Sequence, residues 1–340
     1  MMRRPSAPVS LALLLAALLL ALMLGLAEGS VRVGLAELLS ALIEGLRGGS
    51  PDPVVWQLRL PRVLLAALVG AALGVSGAVF QGVFRNPLAD PYLLGAAAGA
   101  GLGIAVVLTV ATATAPDSGL WSASGGQLRQ LAAFLGGVAA VLTAVVLAGG
   151  VARIHDLILA GVVVSAVCAS LTTWLMLQDE DRVRAVFSFS LGSLALADWH
   201  AVATLSAYLT LGLLPVLLLG RALDALQLGD AVAQSMGLSL GLMRALLLAA
   251  GTLLTATVVA EVGVVGFVGL IVPHIMRLLV GSRHWRLLPA SAVGGALLLV
   301  LADLLARTAV RPAELPVGVV TTLLGGPFFL YLLKRRGRYL

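Results

Sequence analysis

Apolar blocks long enough to cross a lipid bilayer recur along the whole chain, separated by short polar or Gly/Pro-rich breaks. A helix that spans the hydrocarbon core needs about 20 mostly apolar residues, and it must satisfy its backbone hydrogen bonds within its own segment. The sequence therefore predicts an all-α, polytopic membrane protein with about ten transmembrane helices. The predicted spans are residues 10–27, 61–82, 92–114, 128–149, 157–177, 199–219, 242–260, 264–280, 287–306 and 317–333.

The composition agrees with a chain that is surrounded by lipid. Hydrophobic residues make up 60% of it and charged residues only 11%, whereas a soluble domain carries roughly 25% charged residues. The 39 glycines favour a tightly packed bundle, because small residues let helix backbones approach closely in lipid. The one cysteine, Cys168, lies inside an apolar segment and is interpreted as a buried, inert thiol.

The N-terminal segment combines a basic start with a long apolar run. Arg3 and Arg4 precede the run at residues 10–27, as in a signal peptide. The apolar core of a signal peptide is about 7–15 residues long, which is shorter than this run, and many more spans follow. We therefore interpret residues 10–27 as a first spanning helix with a cytoplasmic N-terminus.

Four segments between the spans have their own character. Residues 34–47 show helical spacing of Leu and Ile opposite charges, which predicts an amphipathic helix at the membrane interface. Residues 115–127 and 178–193 are predicted loops. Residues 221–239 are polar and helix-competent but too charged to span. That segment suits insertion into a groove of a partner protein, and it suits equally a solvated connector.

The distribution of charge predicts the orientation. With the N-terminus inside, 13 of the 22 Lys and Arg residues fall on the inner side, as the positive-inside rule requires. The basic KRRGR stretch after the last span, residues 334–338, also belongs inside. An even number of spans then leaves both termini in the cytoplasm.

The sequence lacks the common signatures of enzyme chemistry. It has no GxxxxGK[ST], HExxH or GxSxG motif, and its four histidines lack metal-ligand spacing. Paired intramembrane carboxylates, which mark proton relays, are also missing, and this disfavours an ion-coupled secondary transporter. The arginines are scattered through short loops and form no continuous basic face for nucleic acid. An intramembrane enzyme or a purely structural membrane protein is the remotest reading.

Two Pro-containing breaks carry a pattern of their own. Arg59-Leu-Pro-Arg62 stands just before the second span, where Pro61 suits the first helical turn. Its arginines suit either contact with a partner on the outer face or ordinary interfacial anchoring. The second break, residues 85–91, reads RNPLADP and predicts a tight turn in which Asn86 or Asp90 caps the next helix.

Five stretches follow one another in order with sensible spacing. They are RLPRVLLAALVGAALGVSGAVFQGVFRNPLADPYLLGAAAGAGLG, LQLGDAVAQSMGL, GFVGLIVPHIMR, ADLLAR and ELPVGVVTTLLGGPFFLYLL. Together they resemble the FecCD family, the permeases of bacterial ABC importers for iron-siderophores, haem and vitamin B12. Any one motif is weak, but the ordered set is specific. The resemblance is strongest over residues 55–335.

The resemblance implies a type II ABC importer permease in which residues 1–340 form a single transmembrane domain. Such permeases are homodimers of ten-helix subunits in the bacterial inner (cytoplasmic) membrane. Two copies of a separate ATP-binding subunit bind them from the cytoplasm, and a periplasmic or surface-tethered binding protein delivers substrate. This chain is then expected to bind no cofactor and to act as no enzyme, because ATP-Mg belongs to the partner ATPase.

The resemblance also implies roles for residues that match the family motifs. Outer-face arginines of the family pair with glutamates of the binding protein, and Arg59, Arg62 and Arg307 match them. Residues 221–239 correspond to the cytoplasmic coupling segment that seats in the ATPase. Its expected contacts are Leu228, Gly229, Asp230, Ala231, Gln234, Met236 and Gly237. The loop Arg153-Ile154-His155 matches the cytoplasmic gate, although the family commonly has small or hydroxylated residues there.

The family does not fix the substrate. An iron chelate, either a siderophore or haem, is the expectation, because that branch of the family is the commoner one. A cobalamin importer is the alternative within the same family. In the fifth span, Ser165, Ser170, Thr172 and Thr173 suit either the wall of the path or bonds to their own helix backbone.

Overall fold

The computed structural model describes residues 7–29, 33–114, 125–177 and 180–336, and all regular secondary structure in these ranges is helical. The first seven α-helices are α1 (Ala7–Ala27), α2 (Leu35–Leu46), α3 (Leu60–Val83), α4 (Ala96–Thr114), α5 (Gly125–Leu147), α6 (Ile154–Met176) and α7 (Glu180–Leu191). The next seven are α8 (Trp199–Leu218), α9 (Gly220–Gln227), α10 (Asp230–Ser235), α11 (Leu240–Val262), α12 (Val268–Val280), α13 (His284–Thr308) and α14 (Val317–Arg336).

The polytopic all-α prediction is confirmed. Within the described ranges, seven helices are long and apolar enough to cross a bilayer: α1, α3, α5, α6, α8, α11 and α13. The shorter apolar helices α4, α12 and α14 coincide with the three other predicted spans. The total of ten transmembrane helices stays a prediction. The amphipathic helix predicted at residues 34–47 is α2.

The prediction of a loop at residues 178–193 is wrong, because α7 occupies Glu180–Leu191. Its Val186 is buried with Ile104 and Val259, so packing stabilises a helix that hydropathy alone does not reveal. Three other predictions fall partly or wholly outside the described residues. They concern the basic start of the chain, the loop at 115–127 and the basic C-terminal stretch.

The second and eighth predicted spans begin elsewhere than expected. A π-helical turn, Val54–Arg59, runs directly into α3, so Pro61 does not stand at the start of the helical run. The N–H of Leu60 there donates to the oxygen of Val55, five residues back. The eighth span begins at Val268 rather than 264, because Phe267 has a φ of 67° and breaks the helix before it.

The turn at residues 85–91 forms as predicted, and of its two candidate side chains Asp90 caps the next helix. The side chain of Asn86 accepts from the N–H of Leu88 at 3.0 Å. Asp90 accepts from the N–H of Tyr92 at 2.8 Å and caps a short 3₁₀ helix, Pro91–Leu94. Burial raises the pKa of Asp90 to about 6, and the Tyr92 hydrogen bond opposes this shift only in part.

The chain divides into two compact units. Unit 1 comprises residues 1–78, 193–210 and 265–340. Within it α13 packs against α1, α12 and α14. A methyl group added to Gly70 of α3 would overlap the carbonyl oxygen of Gly295, and one added to Gly74 would overlap that of Ser291. The backbones of α3 and α13 therefore touch directly, which is how small residues pack helices in lipid.

Unit 2 comprises residues 79–192 and 211–264. Its α4 packs against α5, α6 and α7, and α11 packs against α5. Gly99 and Gly136 let α4 and α5 approach to backbone contact, since a methyl group on either would meet the other's carbonyl oxygen. This unit carries the predicted gate and coupling segments on one framework of packed helices.

Candidate functional sites

The predicted coupling segment folds as two short helices, α9 and α10, joined by Leu228 and Gly229. Gly229 has a φ of 108° and Gly237 a φ of 82°, conformations that favour glycine because other residues clash with their own backbone there. Gln227 anchors the segment by donating to the oxygen of Gly82 at 2.7 Å. The two glycines thus shape the turns on either side of α10.

Asp230, the first residue of α10, bridges two arginines. Its Oδ1 lies 2.7 Å from Arg244 Nη2 and 2.9 Å from Arg85 Nη2. Arg244 is almost fully buried, and its Nη1 donates to the oxygen of Ala152 at 3.2 Å. We refer to Asp230, Arg85 and Arg244 as the Asp230 cluster. Through Arg244 this cluster joins α10 to the turn that precedes the predicted gate loop.

One side of the coupling segment carries exposed apolar groups. Leu228 is 64% exposed, Met236 61% and Val232 43%, while Ala233 is fully buried and holds α10 against the unit. Ala231 and Gln234 are exposed as well. Sequence reasoning missed Val232, although its spacing of four residues from Met236 places both on one helix face. Exposed apolar groups on a polar connector are the kind of surface that a partner protein covers.

The predicted gate loop, Arg153 to His155, lies on a cavity of about 640 Å³ within unit 2. Asp230 and Arg85 line the same cavity, so the structure brings the gate loop and the coupling segment to one place. Arg153 is exposed and stands 4.0 Å from Asp156, which is a weak contact. The role of Arg153, Ile154 and His155 as a gate stays a prediction.

The three arginines predicted to dock a binding protein are held by groups of unit 1. Asp303 is buried, with one oxygen 3.0 Å from Arg62 Nη2 and the other 3.0 Å from Arg307 Nε. Arg62 also pairs with the exposed Glu314 at 2.8 Å. We refer to Asp303, Arg62, Arg307 and Glu314 as the Asp303 cluster.

Two of these guanidinium groups also reach the end of α1. Arg307 donates to the oxygens of Gly25 at 3.1 Å and Glu28 at 3.0 Å. Arg59 is buried and donates to the oxygens of Leu26 at 2.8 Å and Ala27 at 3.0 Å. These bonds satisfy the carbonyls that the last turn of a helix leaves without partners. The docking role of Arg59, Arg62 and Arg307 stays a prediction.

Three of the four hydroxyls named in α6 bond to their own helix. Ser165 donates to Gly161 at 2.7 Å, Thr172 to Cys168 at 2.8 Å, and Thr173 to Ala169 at 2.9 Å. Of the two readings left open for them, the geometry favours bonding to the helix backbone. Cys168 is buried, as predicted. Among the described residues, no group of three or more His, Cys, Asp and Glu lies close enough to hold a metal ion.

Two curated permeases align with most of the chain. It is 40% identical to the hemin transport system permease protein HmuU of Yersinia pestis over 317 residues, which are 92% of both chains. It is 39% identical to the vitamin B12 import system permease protein BtuC of Escherichia coli over 293 residues, 84% of both chains.

A solved structure has the same fold. It is an inward-facing conformation of a transporter assigned to the metal-chelate ABC type. The TM-score is 0.84 at 28% identity, and the match covers 96% of this chain and 99% of that one. The sequence model of the FecCD transport family matches residues 14–335. This chain, a multi-pass membrane protein, therefore belongs to the FecCD transport family of ABC importer permeases.

Proposed function

We propose that this permease moves an iron chelate, either a siderophore or haem, across the bacterial cytoplasmic membrane in complex with a separate ATPase. The observation that carries the proposal is the coupling segment. It combines an exposed apolar face with an ion pair that ties it to the turn before the gate loop. Transport, with no chemistry on the substrate, is the activity assigned to this chain, and ATP-Mg is bound and hydrolysed by the partner.

The Asp230 cluster suggests how movement of the ATPase reaches the gate. If the ATPase binds Leu228, Val232 and Met236, the closing of its two subunits when ATP binds displaces α10. Asp230 is the first residue of α10, and Arg244 joins it to Ala152, one residue before the gate loop. Displacement of α10 then moves the wall of the 640 Å³ cavity. The gate loop on the same cavity therefore adopts a different position in the ATP-bound state. Such a switch needs contacts that differ between its states.

The orientation follows from α3, which has Arg62 in its first turn and Arg85 just beyond its last. The two ends of a spanning helix face opposite sides of the bilayer. If Arg85, beyond the last turn of α3, faces the cytoplasmic ATPase, Arg62 in the first turn of the same helix faces the outside. Both chain termini then lie in the cytoplasm, as the charge distribution predicts. A second copy of the chain is proposed to complete the translocation path.

A binding protein is proposed to dock on the outer side, near Arg59, Arg62 and Arg307. The burial and the ion pairs of these arginines assign them different roles. Arg59 and Arg307 are buried, so they act by shaping the ends of α1 and α13. The side chain of Arg62 is 13% exposed and pairs with Glu314, which lies at the surface. A carboxylate of the binding protein would therefore compete with Glu314 for Arg62. Such rim charges mainly change the association rate.

The substrate is proposed as an iron chelate because HmuU, at 40% identity, is named for hemin transport. BtuC is 39% identical and is named for vitamin B12, so cobalamin is the alternative. The two sequence identities are nearly equal, so the choice between an iron chelate and cobalamin needs a transport measurement. The full importer is reconstituted in proteoliposomes and supplied in turn with binding proteins for haem, a ferric siderophore and cobalamin. It should import haem or the ferric siderophore. Uptake of cobalamin alone would establish the alternative.

The coupling proposal is tested by placing a bulky charge on the exposed face. Ala231→Glu and Gly237→Glu should abolish uptake by the reconstituted importer while the permease still inserts and the ATPase still hydrolyses ATP. Ala36→Glu, at an exposed position of α2, is the matched control and should leave uptake unchanged. Normal uptake by both coupling variants, or crosslinks that place residues 226–237 outside the cell, would overturn the proposal.

The docking proposal is tested by association kinetics. Arg62→Glu should slow complex formation with the binding protein and weaken the salt dependence of its rate. Arg47→Glu, on the exposed end of α2, reverses a charge outside the Asp303 cluster and serves as the control. Unchanged association by Arg62→Glu, with its fold intact by thermal unfolding, would remove Arg62 from the docking surface.

A further inference from the structure

Unit 1 separates its charges between the two ends of its helices. Its basic end comprises the start of α1, the turn between α12 and α13, and the end of α14. The charged residues there are Arg277, Arg283, Arg286 and Lys334. All acidic residues of unit 1 lie elsewhere, in the loops and helix ends around the Asp303 cluster or in α2: Glu28, Glu37, Glu44, Asp52, Asp198, Asp303 and Glu314. Within the described residues of unit 1, the charged residues of these segments are therefore basic, and their field attracts anions.

A groove of about 290 Å³ opens at this basic end. Pro8 and Leu11 of α1 form one wall, and Trp285 and Pro289 of α13 form the other. The guanidinium group of Arg286 lies at the groove, 4.6 Å from the centre of the Trp285 ring. The stacked ring holds the charge in place, since a cation over an aromatic face is stabilised by the ring.

The groove combines two chemistries in one place. Its walls are mostly apolar, and one of them is α1, a helix with only 22% of its most apolar window buried against the rest of the chain. Arg286 lines the groove, and Arg283 is the extended residue that precedes α13, three positions before Arg286. Both arginines are exposed, and Arg offers a planar fork of donors that matches a phosphate.

We propose that this groove binds an anionic phospholipid, with its phosphate on Arg286 and Arg283 and the upper part of one acyl chain between α1 and α13. Trp residues favour the depth of the headgroups in a membrane, which puts Trp285 where the phosphate and acyl chain meet. Basic pockets between transmembrane helices bind anionic headgroups by this same combination. Charge complementarity selects the anionic lipid over a zwitterionic one.

The test measures lipid contact at Trp285 directly. The full-length chain is placed in bilayers that contain either brominated phosphatidylglycerol or brominated phosphatidylcholine as the minor lipid. Bromine quenches tryptophan fluorescence at contact, and Trp285→Phe isolates the contribution of that ring. We expect phosphatidylglycerol to quench Trp285 at lower mole fraction than phosphatidylcholine. Arg286→Gln should reduce this preference about fivefold, since each basic residue near a surface contributes on the order of 1 kcal/mol.

The control is Arg47→Gln, which removes one exposed charge from the end of α2 and should leave the preference unchanged. Raising the salt concentration on the unaltered protein should weaken the preference, and this arm needs no variant to fold. Equal quenching by the two lipids would overturn the proposal, as would an equal loss in Arg47→Gln. Displacement of the lipid by inorganic phosphate alone would identify a phosphate site that does not recognise lipid.

Discussion

The Asp303 and Asp230 clusters have the same composition at their centre, one carboxylate between two arginines, but they differ in exposure. Asp303 is 2% exposed and both of its oxygens are engaged. Asp230 is 41% exposed and uses one oxygen for both arginines. A buried carboxylate between two cations cannot change partners without leaving a charge uncompensated, whereas a half-exposed one can. The first cluster therefore suits a fixed joint, and the second suits a joint that is remade when a partner binds.

The largest effect should follow from Asp303→Asn. It leaves Arg62 and Arg307 facing a neutral group in a buried site, and breaking a buried ion pair typically costs about 3–5 kcal/mol. The free energy of unfolding in detergent or lipid, measured with a chemical denaturant, should fall by that amount. A loss of less than about 1 kcal/mol would mean that burial does not make the Asp303 cluster a fixed joint.

Asp90 extends the comparison, because it is a partly buried carboxylate held by a backbone N–H rather than by arginines. Burial raises its pKa from 3.8 to about 6, so the folded state favours the protonated form. The contribution of Asp90 to the free energy of unfolding should be most favourable below about pH 4 and fall as the pH rises to about 6. Above that pH it should stay lower by up to about 3 kcal/mol.

Asp90→Asn keeps an oxygen for the Tyr92 N–H and carries no charge at any pH. It should flatten the dependence of thermal stability on pH between 4 and 6 and stabilise the protein at pH 7.5. An unchanged pH profile would assign the dependence to another group.

A smaller effect on stability is expected from Asp230→Asn, because solvent screens a half-exposed pair. The loss should be about 1 kcal/mol, but uptake should fall strongly while ATP hydrolysis continues, since α10 is no longer tied through Arg244 to the gate loop. The ratio of substrate moved to ATP hydrolysed measures this. An unchanged ratio would mean that the cluster only stabilises the fold.

The smallest effect is expected from Glu314→Gln. Glu314 is exposed and contributes only the outer of the two carboxylates on Arg62, and exposed ion pairs contribute about 0.5 kcal/mol or less. The same unfolding assay as for Asp303→Asn checks this. A loss as large as that of Asp303→Asn would show that exposure does not govern the strength of these pairs.

The membrane spans were predictable because lipid imposes one strong requirement, an apolar helix of sufficient length, which can be read from neighbouring residues alone. The turn at Asn86 and Asp90 was predictable for a similar reason, since capping is local. The helix α7 was not, because its charged start and short length leave no hydropathy signal, and the burial of Val186 depends on residues far away in sequence.

The candidate sites show the same limit. The coupling segment was recognisable from its local composition and from family motifs. Its partners were not, since Arg244 is just one more charge in the sequence and its bonds to Asp230 and Ala152 depend on the fold. The pairing of Arg62 with Asp303, across 241 positions, could not be read from spacing. Sequence reasoning thus found the arginines of the outer side but not the carboxylate that holds them.

The glycine contacts of unit 1 have a consequence for motion. At Gly70 and Gly74, α3 meets the backbone of α13 with no side chain between them. A slip of α3 by one residue would bring the methyl group of Ala71 towards a carbonyl oxygen where only hydrogen fits. Neither helix can slide along the other in small steps. We therefore expect α3 and α13 to move together where these glycines meet.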